Sequence, residues 1–354
     1  MIKVLIVEDS RTVSQYLEYI LSNDPKIEVV GNVSNGQLAI DFVKKNKPDI
    51  ITMDIDMPRM NGLEATRQIM AENPVPIIVV TATRNINDVH VSMEALAAGA
   101  LTVIEKPVGI GHPSEEAKTK KMLSLVKIYS EVKVVARKYK SKSKLSAKTS
   151  DKQKGINKTL PVSKLLNRKY LLIGISSGGP PVLSEIFSKV SRKFPYPILV
   201  VQHITPGFLE GMVTWLNRLT KIPVCIASDG EMLLPGKVYF APDNFQMGIS
   251  LHNIKLYNRE KNQRICPSVK FLFNNFAQNL GKDTIAMLLT GMGSDGSKEL
   301  KKLQTEGALT IAQDEESSLV FGMPGEAVKL NAADYVLNPG QIADILLELE
   351  KNGS

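Results

Sequence analysis

Residues 172–181 read LIGISSGGPP, a Gly/Ser cluster closing an apolar run that begins near Lys169. A strand running into glycines has two familiar uses. It can cradle a phosphate in a dinucleotide fold, or it can lift a nucleophilic serine above a sheet. The first use wants a second glycine where Ser176 stands, so that the backbone can approach a pyrophosphate, and an acid at the end of the next strand for a ribose. The next apolar run, Ile198–Val201, ends instead in Gln202-His203. A histidine at a neighbouring strand end is what a serine nucleophile needs as its general base. Gly174 to Gly178 also has the G-x-S-x-G spacing, with Ser176 at its centre.

The chain has four histidines. His90 and His112 belong to the first half, and His252 falls in an expected hairpin, where a structural role suits it. His203 alone is expected at the carboxyl edge of the second sheet. A third group must orient the imidazole and stabilise its protonated form. After the run Thr284–Thr290 comes GMGSDG, residues 291–296, whose glycines permit a tight turn with Asp295 aimed back at the sheet edge. Asp295 has a plainer alternative, capping a helix that starts near Ser297. Asp314, after the following strand, is the rival third member; the Gly-flanked loop favours Asp295. Backbone N–H groups at Ser177 and Met292 are the natural donors for an oxyanion. The order Ser176, His203, Asp295 is not that of the α/β-hydrolases, which leaves the chemistry open and excludes that family.

Working outward, the second half continues as strand–helix alternation. Strands are expected at Tyr170–Ile175, Ile198–Gln202, Val224–Ser228, Val238–Ala241, Thr284–Thr290, Leu309–Ala312 and Tyr335–Leu337, with a hairpin near Met247–Tyr257. The first half has the same beat, with short apolar runs at Lys3–Val7, Glu28–Gly31, Ile50–Met53, Ile77–Thr81 and Thr102–Ile104. Helical periods such as Asn61–Ala71 and Asn87–Ala98 lie between them. Buried strands separated by helices mean parallel α/β sheets. A fifth helix is expected after Pro113, running towards Val135. The two halves are expected as domains at 1–120 and 169–350, with a Lys/Ser-rich linker at 121–168 that starts as helix. Its composition buries too little apolar surface to order itself.

At 354 residues the chain is long enough for two or three cores, and 43% hydrophobic content is that of a globular protein. No apolar stretch reaches membrane-spanning length, and the beginning, MIKVLIVEDS, lacks a signal-peptide layout; a cytoplasmic location without membrane insertion is expected. Cys225 and Cys266 show neither metal-ligand nor disulfide spacing and are expected as buried, reduced thiols. The net charge of +8 suggests nucleic acid until its distribution is considered. Residues 112–169 hold 17 Lys/Arg against 4 Asp/Glu, a net of +13 that leaves −5 for the remainder. The folded parts are mildly acidic, which argues against a nucleic-acid partner.

In the first half, chemistry collects at one sheet edge. Glu8 and Asp9 follow the first strand, Asp54 the third, Thr81 the fourth and Lys106 the fifth. Carboxylates at adjacent strand ends repel one another unless a divalent cation lies between them, and oxygen ligands suit Mg²⁺. A lysine and a hydroxyl nearby suit a phosphoryl group. Any one of these residues alone would be an ordinary loop charge; together they make a site for phosphorylating an aspartate. Met1–Lys120 thus resembles the receiver domain of response regulators, a flavodoxin-like (βα)5 fold. That resemblance implies Asp54 as phospho-acceptor, Glu8, Asp9 and the Asp56 carbonyl around Mg²⁺, and Thr81 with Lys106 as phosphate sensors. Many receivers carry an aromatic residue three before the lysine, where this chain has Val103.

A receiver, a basic linker, then IGISSGG, VQHITPGF, DGEMLLPGKVYFAP, CPSV, LTGMGSDG, IAQD and FGMP in that order resemble the CheB family of chemotaxis protein-glutamate methylesterases over nearly the whole chain. The resemblance implies hydrolysis of glutamate γ-methyl esters on methyl-accepting chemoreceptors and deamidation of receptor glutamines. It implies Ser176 as nucleophile, His203 as base, Asp295 as its partner and Met292 at the oxyanion site, with no cofactor for the hydrolysis. It also implies a histidine kinase as phosphodonor and an unphosphorylated receiver packed across the active-site face. Ser177 stands where the family often has Thr, and Cys266 where an Arg often precedes Pro-Ser-Val. Two other classes compete. A non-enzymatic phospho-switch has no need of an intact Ser/His/Asp set. A DNA-binding regulator would end in a small basic helix-turn-helix module, not about 185 mildly acidic α/β residues.

Overall fold

The structure, a computed structural model, describes residues 1–81, 86–107, 113, 115–135, 160–260 and 263–353. His112 and residues 136–159 of the expected linker lie outside the described residues.

Two parallel sheets account for the architecture. The first comprises β1 (Ile2–Val7), β2 (Ile27–Val33), β3 (Ile50–Met53), β4 (Ile77–Thr81) and β5 (Thr102–Glu105), in the order β2-β1-β3-β4-β5. Its helices are α1 (Arg11–Ser22), α2 (Gly36–Lys45), α3 (Gly62–Glu72), α4 (Ile86–Ala98) and α5 (Glu115–Ser130). β3 and β4 are buried along their whole length, because helices cover both faces of a parallel sheet. Ser10, Asn35 and Asn61 cap α1, α2 and α3 by accepting N–H bonds from Val13, Leu38 and Glu64. Each such cap contributes about 1 kcal/mol.

The second sheet holds β6 (Tyr170–Ile175), β7 (Ile198–Gln202), β8 (Val224–Ile226) and β9 (Val238–Phe240). A separate antiparallel hairpin, β10 (Phe245–Ser250) with β11 (Asn253–Asn258), interrupts it before β12 (Thr284–Leu288), β13 (Leu309–Gln313) and β14 (Tyr335–Leu337). Strand order is β14-β13-β12-β6-β7-β9-β8, parallel throughout. The order reverses between β6 and β12, so this is a doubly wound sheet with its switch point there. The helices are α6 (Gly179–Phe187), α7 (Leu209–Leu219), α8 (Val269–Ala277), α9 (Ser297–Thr305), α10 (Met323–Lys329) and α11 (Pro339–Asn352). Leu160 and Leu165 are buried beside this sheet, and Leu165 O accepts from Tyr196 Oη at 2.6 Å.

The sheets meet through helices: α4 packs on α6 and α7. Thr205 Oγ1, in the loop after β7, donates to Val103 O of β5 at 3.3 Å and lies 3.5 Å from Thr102 Oγ1. Cys225 and Cys266 are free, as expected, but half-buried where burial was expected; Cys225 packs at the margin of a core. Among the described residues no helix is long and apolar enough to cross a membrane.

Candidate functional site

The carboxyl edge of the second sheet assembles three loops at the switch point. β6 runs straight into Ser176, whose N–H bonds Thr290 O at 2.9 Å, two residues past β12. Gly178 turns the chain with φ 81°, a conformation open to glycine, and a Cβ there would lie 2.6 Å from Leu319 Cβ. Thr290 Oγ1 braces the turn by donating to Ser177 O at 2.9 Å. His203 follows β7, its N–H on Ile175 O at 2.9 Å, so the histidine and the serine loop are knitted by the parallel ladder.

His203 Nε2 lies 3.0 Å from Asp295 Oδ2, within ion-pairing distance though off the line of a good N–H···O hydrogen bond. Asp295 does cap a helix, but not the one expected. The helix at Ser297 begins after Gly296 with no side-chain cap, whereas Asp295 Oδ2 and Oδ1 accept from Val269 N (2.7 Å) and Lys270 N (3.1 Å) at the start of α8. Burial pushes the Asp295 carboxyl up, but His203 and those two N–H groups outweigh it and hold its pKa below the usual 3.8. Asp314 does not face the imidazole; its carboxylate is taken up by Ser317 N and Oγ in its own turn.

Met292 is half-buried beside the serine, since a Cβ on Gly291 would come within 2.6 Å of Ser176 Cβ. Among the described residues, the N–H groups of Ser177 and Met292 bond no backbone carbonyl. His252 is exposed in the hairpin, with Nδ1 3.3 Å from Tyr170 Oη, away from this edge.

Ser176, Ser177 and His203 open into a cavity of about 230 Å³ whose other wall is the first domain: Thr102, Val103 and Tyr129. The Tyr129 hydroxyl, on α5, faces those of Ser177 and Thr102; burial raises its pKa and the two hydroxyls draw it partly back. Neither Tyr129 nor Gln202, whose amide donates to Ser176 O and His203 O, was marked by the sequence reading.

At the first sheet's carboxyl edge, oxygens of Glu8, Asp9 and Asp54 lie within 4.8 Å of one another. Glu8 and Asp54 are buried and Asp9 is exposed. Lys106 Nζ bridges Glu8 Oε2 (2.8 Å) and Asp54 Oδ2 (2.9 Å). Burial works against the ammonium, but its two partners outweigh it and raise its pKa. Burial also raises the pKa values of Glu8 and Asp54 despite Lys106. One ammonium among three carboxylates leaves the cluster short of positive charge, and an all-oxygen donor set fits Mg²⁺. Thr81, at the end of β4, joins this edge, its carbonyl accepting Lys106 N–H at 2.9 Å. Asp56, two residues beyond Asp54, is exposed.

A receiver fold with an acidic phosphorylation-type cluster, wired to a doubly wound α/β domain with serine, histidine and aspartate at its switch point, defines a response regulator with an enzymatic output domain. Residues 4–115 match the family model described as response regulator receiver domain, and residues 171–346 that described as CheB methylesterase. A protein of Nitrosospira multiformis named protein-glutamate methylesterase/protein-glutamine glutaminase is 45% identical over 350 residues, covering 99% of this chain and 97% of its own. A Geobacter metallireducens relative, numbered 4 under the same name, is 44% identical over 351 residues, covering 99% of both chains. The crystal structure of the Thermotoga maritima CheB methylesterase catalytic domain is similar to 51% of this chain at 38% identity, with 98% of that chain covered and a TM-score of 0.49. The chain belongs to the CheB methylesterase family.

Proposed function

We propose that this protein hydrolyses glutamate γ-methyl esters on chemoreceptors, and deamidates receptor glutamines, by acyl transfer through Ser176. His203 takes the Ser176 hydroxyl proton as the oxygen attacks the ester carbonyl, and gives it to departing methanol, or to ammonia from an amide. Water, activated by the same imidazole, then releases the glutamate. Asp295 stabilises the imidazolium formed at each transfer, while Ser177 and Met292 N–H receive the oxyanion. The His203–Asp295 pair at 3.0 Å, beside the serine turn, is the observation that carries this reading.

The first domain acts as the switch. A histidine kinase supplies phosphate to Asp54, with Thr81 and Lys106 contacting the phosphoryl oxygens. Glu8, Asp9, Asp54 and the Asp56 carbonyl would hold Mg²⁺, which when bound neutralises charge on the transferring phosphoryl group. The wall formed by Thr102, Val103 and Tyr129 restricts access to Ser176 until the receiver is phosphorylated. Methanol release from methylated receptor membranes, comparing wild type with Ser176→Ala, tests the reaction. Loss of release in the variant is expected; release independent of Ser176 contradicts it.

A further inference from the structure

One side chain touches the backbone of both the serine and the histidine. Gln202 is 4% exposed at the end of β7, and its Nε2 donates to Ser176 O at 2.9 Å and to His203 O at 2.8 Å. An amide nitrogen has two hydrogens, and here each is spent on one of the two residues. The opposite amide orientation would set Oε1 against two carbonyl oxygens, so the hydrogen-bond pattern fixes which atom points where. Among the described residues Oε1 has no hydrogen-bond partner. A buried acceptor left unpaired is unfavourable, and such exceptions in a folded protein call for an explanation.

The fold also makes room for this amide. Gly179, the first residue of α6, lies so close that a Cβ there would sit 2.0 Å from Gln202 Oε1 and 2.9 Å from Cδ. Gly179 does not have the positive φ of Gly178, so space, not backbone conformation, is what an alanine would violate. Gly179 N–H also bonds Ser176 O at 2.9 Å, so that carbonyl is held from both sides.

We infer that Gln202 is a positioning residue that sets the distance between Ser176 and His203 by tying their carbonyls to one amide. The inference rests on the reading of these two residues as nucleophile and base. It adds a residue that acts through both of them. Reactive groups displaced by about 1 Å lose on the order of a hundredfold in rate, so the effect should fall on kcat.

The test uses the full chain, activated with Mg²⁺ and a small phosphoryl donor, with methanol release giving kcat and KM and a fluorophosphonate probe giving the rate of Ser176 labelling. Gln202→Met keeps the length and removes both N–H donors. It should lower kcat and the labelling rate by about tenfold to a hundredfold and leave KM within about twofold. Gly179→Ala should reproduce that loss, and in a Gln202→Ala background, where the amide is gone, it should cost nothing further. A folded Gln202→Met with wild-type kcat and labelling, whatever its melting temperature, overturns the inference. Should Gln202→Met fail to fold, Gly179→Ala decides alone, and wild-type kcat there overturns it equally. An equal loss from Gly179→Ala in both backgrounds also overturns it. Ser176→Ala run in parallel separates the two levels: an active Ser176→Ala defeats the nucleophile reading, whereas an inactive one beside a fully active Gln202→Met defeats only the role of Gln202.

Discussion

Replacing Asp295 by asparagine removes one charge from the site and little volume. A base that is to take the serine proton must begin uncharged, so before that transfer the carboxylate contributes mostly orientation. In the transition state the imidazole carries the serine proton, and opposite charges then face one another at 3.0 Å. At an effective dielectric of about 20, that separation corresponds to about 5.5 kcal/mol. The side chains are 20% and 9% exposed, so solvent screening removes only part of it. Since the attraction exists chiefly in the transition state, the loss appears in kcat, on the order of 10³–10⁴. The same amide substitution in the Ser-His-Asp template lowers kcat by about 10⁴. Asparagine puts an NH2 donor where one carboxylate oxygen stood, so one of the Val269 and Lys270 N–H groups loses its acceptor and stability should also fall, by about 1–2 kcal/mol. Methanol-release kinetics on the activated full chain measure the first effect and denaturant unfolding the second. A folded Asp295→Asn that keeps more than about a tenth of wild-type kcat refutes the assignment of Asp295.

Four further outcomes are expected. The Asp295 pKa is depressed in the fold, so the group stabilises above its unfolded-state pKa and gives that up as pH falls below about 3.8; thermal melts of Asp295→Asn against pH should have a flatter acid arm than wild type. Thr205→Val and Tyr129→Phe each remove a polar contact between the domains. Each should raise methanol release without phosphoryl donor by about fivefold, the equivalent of about 1 kcal/mol. Asp54→Asn should abolish phosphate incorporation on a phosphate-affinity gel, and Asp9→Asn should raise the Mg²⁺ concentration needed by about tenfold or more, a ligand loss of at least about 1.4 kcal/mol.

Strand positions were legible because strands of a helix-covered parallel sheet must be apolar on both faces. All twelve expected parallel strands are present, with ends shifted by up to two residues. The residues with chemistry were legible because each stands just past an apolar run. Strand order was not: nothing in residues 284–296 says that β12 inserts beside β6 and so brings Asp295 to His203. The helix-cap reading of Asp295 failed for the same reason. The local candidate was α9, but the N–H groups it caps belong to α8, more than twenty residues earlier. Gln202 stood beside His203 in plain sight, yet its partners are main-chain carbonyls, which leave no mark in a residue pattern. Tyr129 sits on α5, and only the packing of the two domains brings it to Ser177.

The central claim joins both halves: Ser176 is the nucleophile, and the receiver controls access to it. The most direct measurement is the rate at which a fluorophosphonate labels Ser176 in the full chain, with and without Mg²⁺ and a small phosphoryl donor, with Asp54→Asn as control. The expected result is one labelled residue, Ser176, modified faster when Asp54 is phosphorylated, and no acceleration in Asp54→Asn. Labelling at another residue, or an equal rate in all conditions, would contradict it.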